Sequence, residues 1–466
     1  MANQIKATFV IVGGGIAGVS CAETISFLCP DESIYLLTES SLIKTVTNLV
    51  PLGKSLTKFD IEEKDAENIN RHVHVLVDIL ESINSQAKTI RTKNGRTIHY
   101  NYLCLCTGAR PKLIEPNNPH IIGIRDTESV LEFQKRIKNS RKIALIGNGG
   151  IASEIAYEVN GIGIDWVIKD DHISSTFVDA GAAKFFQSRL KAKDSKPEKA
   201  TIKRMRYTEE GQTSAANQRG AALGPDWHRK INIEGKVKDI PDSVRIHYET
   251  EIKEIKNTAD SAFPIELLLT NGESIPCDFV VSATGVAPSL NFTYDQPFTF
   301  GPDGGISVDA LMKTNIPDIF AAGDICYASW DRAHHWFQMR LWTQARQMGA
   351  MAGKSMVAAL RNEEITQDFC FELFGHVTNL FGYQVVLLGK YNGQGLGNRY
   401  EMLVRVTPDL EYIKYVLVDG RLQGAILIGE TGLEETSENL ILNQLDLTPY
   451  GDDILNPDID IEDYFD

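Results

Sequence analysis

Residues 7–18 read ATFVIVGGGIAG, and the rest of the chain is best understood outward from them. Ala7 to Val12 is a short apolar, β-branched run, suited to a strand buried in a parallel sheet. Gly13, Gly14, Gly15, Ile16, Ala17 and Gly18 follow directly and fit the G-x-G-x-x-G pattern. In such a turn Gly13 allows the tight bend, Gly15 lets a diphosphate approach the backbone, and Gly18 lets the next helix pack close to the strand. The helix pattern runs from Ile16 to about Leu28, and its start offers free N–H groups and the positive end of a dipole to phosphate. A second strand, from Ile34, ends in Leu36-Leu37-Thr38-Glu39, so Glu39 is the candidate acid for an adenosine ribose, with Thr38 the alternative register.

The same order recurs at residues 142–168. The strand KIALI is followed by Gly147, Asn148, Gly149, Gly150, Ile151 and Ala152, then a helix through Val159 that contains Glu154. Ala152 stands in the third glycine position, which the pattern tolerates. The next strand ends Ile168-Lys169-Asp170; an acid there suits NADH and a base suits the 2′-phosphate of NADPH, and both charges are present. Two strand–turn–helix–strand units imply parallel, doubly wound sheets.

Elsewhere the pattern changes. Residues 171–244 break it with a Lys- and Arg-rich stretch from Lys184 to Arg206 and then the polar run EEGQTSAANQRG, which reads as a charged surface insertion or a partner-binding loop. After Phe371, alternating apolar segments and an Asp419-Gly420 turn predict an antiparallel sheet, with a closing helix over Asn439–Leu445. The end, DIDIEDYFD, is an acidic tail with interleaved Ile, Tyr and Phe, compatible with disorder or with docking.

Bulk properties narrow the function. The chain has 466 residues, 43% hydrophobic and 23% charged, the composition of a soluble protein of several domains. A net charge of -15 argues against general affinity for nucleic acid or anionic lipid. No apolar run approaches the roughly 20 residues needed to span a bilayer. The opening MANQIKATFVIV lacks the features of a signal peptide or presequence. Seven scattered cysteines do not form a disulfide framework, so a reducing compartment, cytoplasm or nucleus, is expected.

Three more segments complete a pattern: Cys104 to Pro111 (with Thr107, Gly108, Ala109 and Arg110), Ser282 to Pro288 (with Thr284 and Gly285), and Thr314 to Asp324. In this order the chain resembles the two-dinucleotide-binding-domain flavoprotein superfamily, which includes glutathione reductase, NADH oxidases and apoptosis-inducing-factor-type reductases. The resemblance implies FAD and NADH or NADPH as cofactors, with Asp324 and neighbouring Gly323 at the flavin ribityl chain and pyrophosphate. A narrower group in that superfamily is similar over most of the chain, through GGGIAGVSCAE, LIGNGGIA, DAGAAKFF, GPDWH, MRLWTQARQMG, GLGNRYEMLVR, LIGETGLEET and the tail. That likeness implies a protein partner, the RNA ligase catalytic subunit of the tRNA-splicing complex, protected against oxidative inactivation.

One expected feature is absent. Disulfide reductases of this superfamily carry a cysteine facing the flavin shortly after the second strand, whereas residues 41–54 read SLIKTVTNLVPLGK. Thiol–disulfide exchange needs a thiolate there. Cys104 and Cys106 lie two apart on a strand and read as core; Cys21 reads as packed in the first helix, and Cys326 follows Asp324 closely enough to approach the flavin. Lys44 and Lys54 are candidates for the flavin edge, where a cation stabilises reduced flavin, with surface lysine as the plainer alternative. A helix starting in Arg340-Leu-Trp342-Thr343-Gln344 places Trp342 at the flavin or in the core; Gln338 is a further polar candidate at that end. His334 and His335 are adjacent but lack other ligands at metal spacing, so no metal is expected. No residue is assigned a catalytic role.

The fold class expected is α/β: two nested Rossmann-like dinucleotide-binding domains plus a C-terminal α+β domain. The FAD domain would comprise residues 1–112 and 279–365, the NAD(P)H domain 113–278 with its insertion at about 171–244, and the C-terminal domain 366–466. The activity expected is FAD-dependent NAD(P)H oxidoreduction, with reduction of a small disulfide or quinone as the rival. The sequence leaves oligomeric state open.

Overall fold

The computed structural model describes residues 4–191, 201–206, 244–258, 262–397 and 399–459. Its helices in chain order are α1 (Ile16–Leu28), α2 (Thr127–Ile137), α3 (Gly150–Glu158), α4 (Ala180–Lys191), α5 (Trp342–Arg361) and α6 (Glu434–Asn443). None of the described helices is long and apolar enough to cross a membrane.

The first sheet is built around Gln4–Val12. That strand pairs in parallel with Ile34–Thr38 on one side and Thr97–Leu105 on the other. Val73–Val77 extends the sheet in parallel, and Ile319–Ala321 pairs with the end of Thr97–Leu105. Two consecutive antiparallel strands, Leu80–Asn84 and Thr89–Thr92, continue it. Phe9, Val10 and Ile11 are completely buried, as expected for a strand covered on both faces. Their core is shared with α1 and α5 through Val19, Ile25, Met348 and Met356.

The second sheet is wholly parallel: Ile121–Ile122, Phe279–Ser282, Lys142–Ile146, Gly163–Val167 and Val244–His247, in that spatial order. A three-stranded antiparallel sheet, Ile252–Asn257, Ile265–Leu269 and Ser274–Cys277, shares a core with it. The fold is thus α/β, with two nested Rossmann-like units and a C-terminal α+β part.

The C-terminal sheet is antiparallel, in the order Thr201–Arg206, Glu401–Thr407, Glu411–Val418, Arg421–Ile428, Tyr383–Gly389 and Gly375–Leu380. The expected Asp419-Gly420 turn joins two of its strands, both residues having positive φ (47° and 72°), as a primed hairpin turn requires. The closing helix differs from expectation: α6 begins at Glu434, five residues before Asn439, because Thr436, Ser437 and Glu438 are buried polar residues that carry no apolar signal.

The insertion also departs from a purely surface excursion. Phe185 and Phe186 on α4 pack against Tyr383 and Phe381 of the C-terminal part. Residues 201–206 then supply an edge strand to the C-terminal sheet. Charged side chains concealed this, because backbone pairing at a sheet edge makes no demand on composition. The polar run after Arg206 lies outside the described residues, as does the tail from Asp460.

Candidate functional site

A cleft of about 640 Å³ opens at the carboxyl end of the first parallel sheet, where ligands of open α/β sheets bind. Gly13, Gly14, Gly15, Ile16 and Ala17 line it, with Thr38 and Glu39 from the second strand. Thr107, Gly108, Lys44, Asp324 and Trp342 line the remainder. Most of the first-site residues read from the sequence are therefore brought together in one cavity.

The geometry of the two glycine turns is the same. Gly13 has φ 121° and Gly147 φ 123°. A Cβ on Gly13 would stand 2.1 Å from the carbonyl oxygen of Cys106, and one on Gly147 2.2 Å from that of Ala283. Each turn closes against the segment ending its sheet, and only glycine permits both the close approach and the positive φ. At Gly15 a Cβ would meet nothing within 4 Å, and at Gly149 only Thr176 Oγ1 at 4.0 Å. Neither following helix has a side chain capping its start. Open space beside the middle glycine and an uncapped helix start are what a diphosphate requires, so both turns fit a dinucleotide. Gly18 lies outside the cleft: a Cβ there would stand 1.9 Å from the Gly13 oxygen, so its role is helix packing.

Charged residues also line the cleft, among them Lys44, Glu63, Arg125 and Asp324. The Lys44 backbone N–H donates to Gly14 O at 2.9 Å, fixing the base of a hairpin (Leu42–Pro51 with Thr57–Asp65) to the glycine turn. Lys44 Nζ lies 3.9 Å from Glu63 Oε1. Burial pushes the Lys44 ammonium below its usual range, and Glu63 opposes that. Asp324 sits in the short 3-10 turn Gly323–Ile325. Burial pushes its carboxyl up, with the positive charges of Arg125 and Arg340 pulling it back. Arg340 also holds that turn from behind, donating Nε to Asp324 O at 2.8 Å and Nη2 to Asp303 Oδ2 at 2.5 Å.

Several cleft residues were missed. Arg125 lies over Gly108, its Nη2 2.4 Å from where a Cβ would be, two residues before α2. Asp78, Ile79 and Leu80 line the cleft next to the strand carrying Glu39. Neither set belongs to a spaced motif; only Arg125, a base just before a helix start, carried a faint signal.

Other expected residues fall elsewhere. Ala109 and Arg110 form a ribbon with Val286–Pro288 outside the cleft, and Arg110 Nη1 donates to Asn291 Oδ1 at 3.2 Å. Thr284 Oγ1 donates to Lys112 O at 2.8 Å, and Gly285 has φ 96°; both belong to the segment closing the second turn. Asn148 Nδ2 donates to Asp170 Oδ2 at 2.8 Å, tying that acid to the second glycine turn. Gly150, Ala152 and Glu154 are buried on α3. Ile151 packs into the cluster of Ile16, Phe59 and Trp342, where the two units meet.

Lys54 does not line the cleft: it lies at the hairpin tip, its backbone N–H donating to Glu438 Oε2 at 2.5 Å. Gln338 is used structurally, bonded to Ala328 N and Cys326 O. His334 contacts Lys390 and His335 contacts Gln423, and no described group of His, Cys, Asp and Glu could hold a metal.

The cysteines read as core are core. Cys104 Sγ and Cys106 Sγ lie 3.5 Å apart on one strand face, and Cys21 is fully buried. Cys106 also borders the cleft, beneath the glycine turn. Cys326 is completely buried, which pushes its thiol up. Residues 41–54 form the first strand and tip of the hairpin and bring no sulfur to the cleft.

Fold and cleft define an oxidoreductase scaffold with two dinucleotide sites. A family model described as pyridine nucleotide-disulphide oxidoreductase matches residues 7–213 and 238–349, and the chain belongs to that family. It is 56% identical to "Pyridine nucleotide-disulfide oxidoreductase domain-containing protein 1" of Drosophila melanogaster, over 99% of each chain. To the Homo sapiens protein of that name it is 48% identical, over 98% of each. Its fold is similar to the ferredoxin reductase for the CYP199A2 system from Rhodopseudomonas palustris, with a TM-score of 0.67 at 17% identity, covering 98% of this chain and 99% of that one. Proteins of this family use FAD and NAD(P)H, the two cofactors that the resemblance implied.

Proposed function

We propose that the chain is an FAD-dependent NAD(P)H oxidoreductase that passes electrons without a cysteine relay. The observation carrying this is the pairing of two like glycine turns with a flavin-side hairpin that has Lys44 and no thiol. FAD supplies the two-electron chemistry when bound. Gly13 to Ala17 receive its diphosphate, Glu39 and Thr38 its adenosine ribose, and Asp324 accepts hydrogen bonds from ribityl hydroxyls. Lys44 sets a cation at the edge of the ring, and Trp342, heading α5, closes the pocket. The second turn, Gly147 to Ala152, receives NADH or NADPH. The missing thiol supports slow turnover with disulfides; the family resemblance, not the cleft, supports a role in the cytoplasm and nucleus in protecting an RNA ligase catalytic subunit of the tRNA-splicing complex from oxidative inactivation.

Anaerobic mixing of the flavin-loaded chain with NADH and with NADPH tests the cofactor reading; bleaching of the yellow band is expected. Added ligase should stay active under peroxide only when chain and nucleotide are both present. Rapid turnover of glutathione disulfide or a quinone would replace this reading with that of a small-substrate reductase.

A further inference from the structure

Glu438 on α6 is completely buried, and its carboxylate reaches out of the C-terminal part to the flavin-side hairpin. It accepts from Lys54 N at 2.5 Å, from Ser55 N at 2.8 Å and from the Ser55 hydroxyl. Backbone N–H groups at a loop tip are obligatory donors, so an internal carboxylate that takes two of them fixes the loop. The approach is tight: a Cβ on Gly53 would stand 2.0 Å from Glu438 Oε2.

The rest of the tip is embedded in the same part. Leu56 is buried in a core containing Leu373, Leu427 and Leu440, and Lys58 Nζ donates to Gln384 Oε1 at 2.8 Å. Phe59 follows on the same strand. It is one of the three buried members, with Ile16 and Trp342, of the cluster at the cleft. Ile16 and Trp342 line the cleft directly, and Ile151 from the second glycine turn packs on them. Ser55 and Phe59 are four positions apart, about 13 Å of extended chain.

We infer that Glu438 is a positioning residue for the flavin pocket: by holding the hairpin tip, it sets how Phe59 seats against Ile16 and Trp342 where the two nucleotide sites meet. The pocket's geometry therefore depends on the C-terminal part of the chain. This rests on the reading of the cleft as a flavin site.

The test uses the full chain with four variants: E438Q, E438A, G53A and the double variant G53A/E438A. Flavin dissociation, the visible spectrum and the anaerobic rate of flavin reduction by NADH are measured beside thermal unfolding. An ångström of misplacement at a reacting centre costs on the order of 100-fold, so slowing by about 10-fold or more is expected for E438Q and G53A, with an altered flavin spectrum. G53A/E438A should be no worse than G53A alone, since removing the carboxylate makes room for the new methyl. Variants that unfold at lower temperature but keep the native spectrum and rate overturn the inference, as do effects that simply add. A native chain that stays colourless with excess FAD overturns instead the reading of the cleft on which it rests.

Discussion

Ile16, at the start of α1, and Ile151, in the first turn of α3, pack into one apolar cluster with Phe59 and Trp342. The starts of the two nucleotide-binding helices are thereby brought together at the cleft wall.

The turns should be separable by mutation. Gly13→Ala drives a methyl into the Cys106 carbonyl, and Gly147→Ala into the Ala283 carbonyl. Gly13→Ala should yield a colourless protein. Gly147→Ala should stay yellow yet resist bleaching by NADH and NADPH. Absorbance spectra before and after anaerobic nucleotide addition check both, and a G147A protein bleached at the native rate would contradict the second site.

Lys44 is the hairpin cation that lines the cleft, 3.9 Å from Glu63. Lys44→Met removes the charge and keeps the chain length. Loss of one preorganised electrostatic group at a reacting centre costs on the order of 100-fold, so stopped-flow reduction should slow by about that factor while flavin stays bound. Unchanged kinetics would return Lys44 to an ordinary cleft-wall lysine.

Thiol chemistry should be dispensable. Of the seven cysteines, six are buried and only Cys370 is partly accessible, its thiol pushed up to about 12, chiefly by burial. Titration with a thiol-disulfide reagent should find at most one reactive group in the native chain and all seven after denaturation. Alkylation under native conditions should leave nucleotide-driven flavin reduction intact.

His376 gives a pH dependence with a definite sign. It is completely buried, bonds Thr343 Oγ1 through Nδ1 at 2.9 Å, and is pushed by burial from 6.5 down to about 3. The folded state holds it neutral while the unfolded chain protonates it near its usual value. Its contribution is complete above about pH 6.5 and is lost as pH falls towards 3, at up to about 1.4 kcal/mol per unit. Chemical denaturation at pH 7.5 and 5.0 should show the loss in the native chain, and His376→Asn, uncharged throughout, should lessen it.

The glycine turns were legible because each residue there answers a local demand: positive φ at Gly13 and Gly147, room at Gly15, close packing at Gly18. Asp324 and Trp342 were legible through resemblance. What escaped notice depends on distant partners. Glu438 meets Lys54 and Ser55 more than 380 positions away, and nothing near either stretch marks the encounter. Residues 201–206 pair with Glu401–Thr407 along the backbone, a pairing that any side chains allow. Arg110 does not itself line the cleft: at buried Ala109 the chain enters a ribbon with Val286–Pro288, and Arg110 meets the cleft through Asn291.

The strand Ile319–Ala321 lies beside Thr97–Leu105, although the whole second sheet comes between them in the chain. On a ribosome, the wall of the cleft that bears Asp324 emerges only after the intervening unit has been made. At about 5–20 residues per second, the first glycine turn waits more than ten seconds for that wall. Cofactor capture is therefore a late event in biogenesis, and the nascent first half must persist without it.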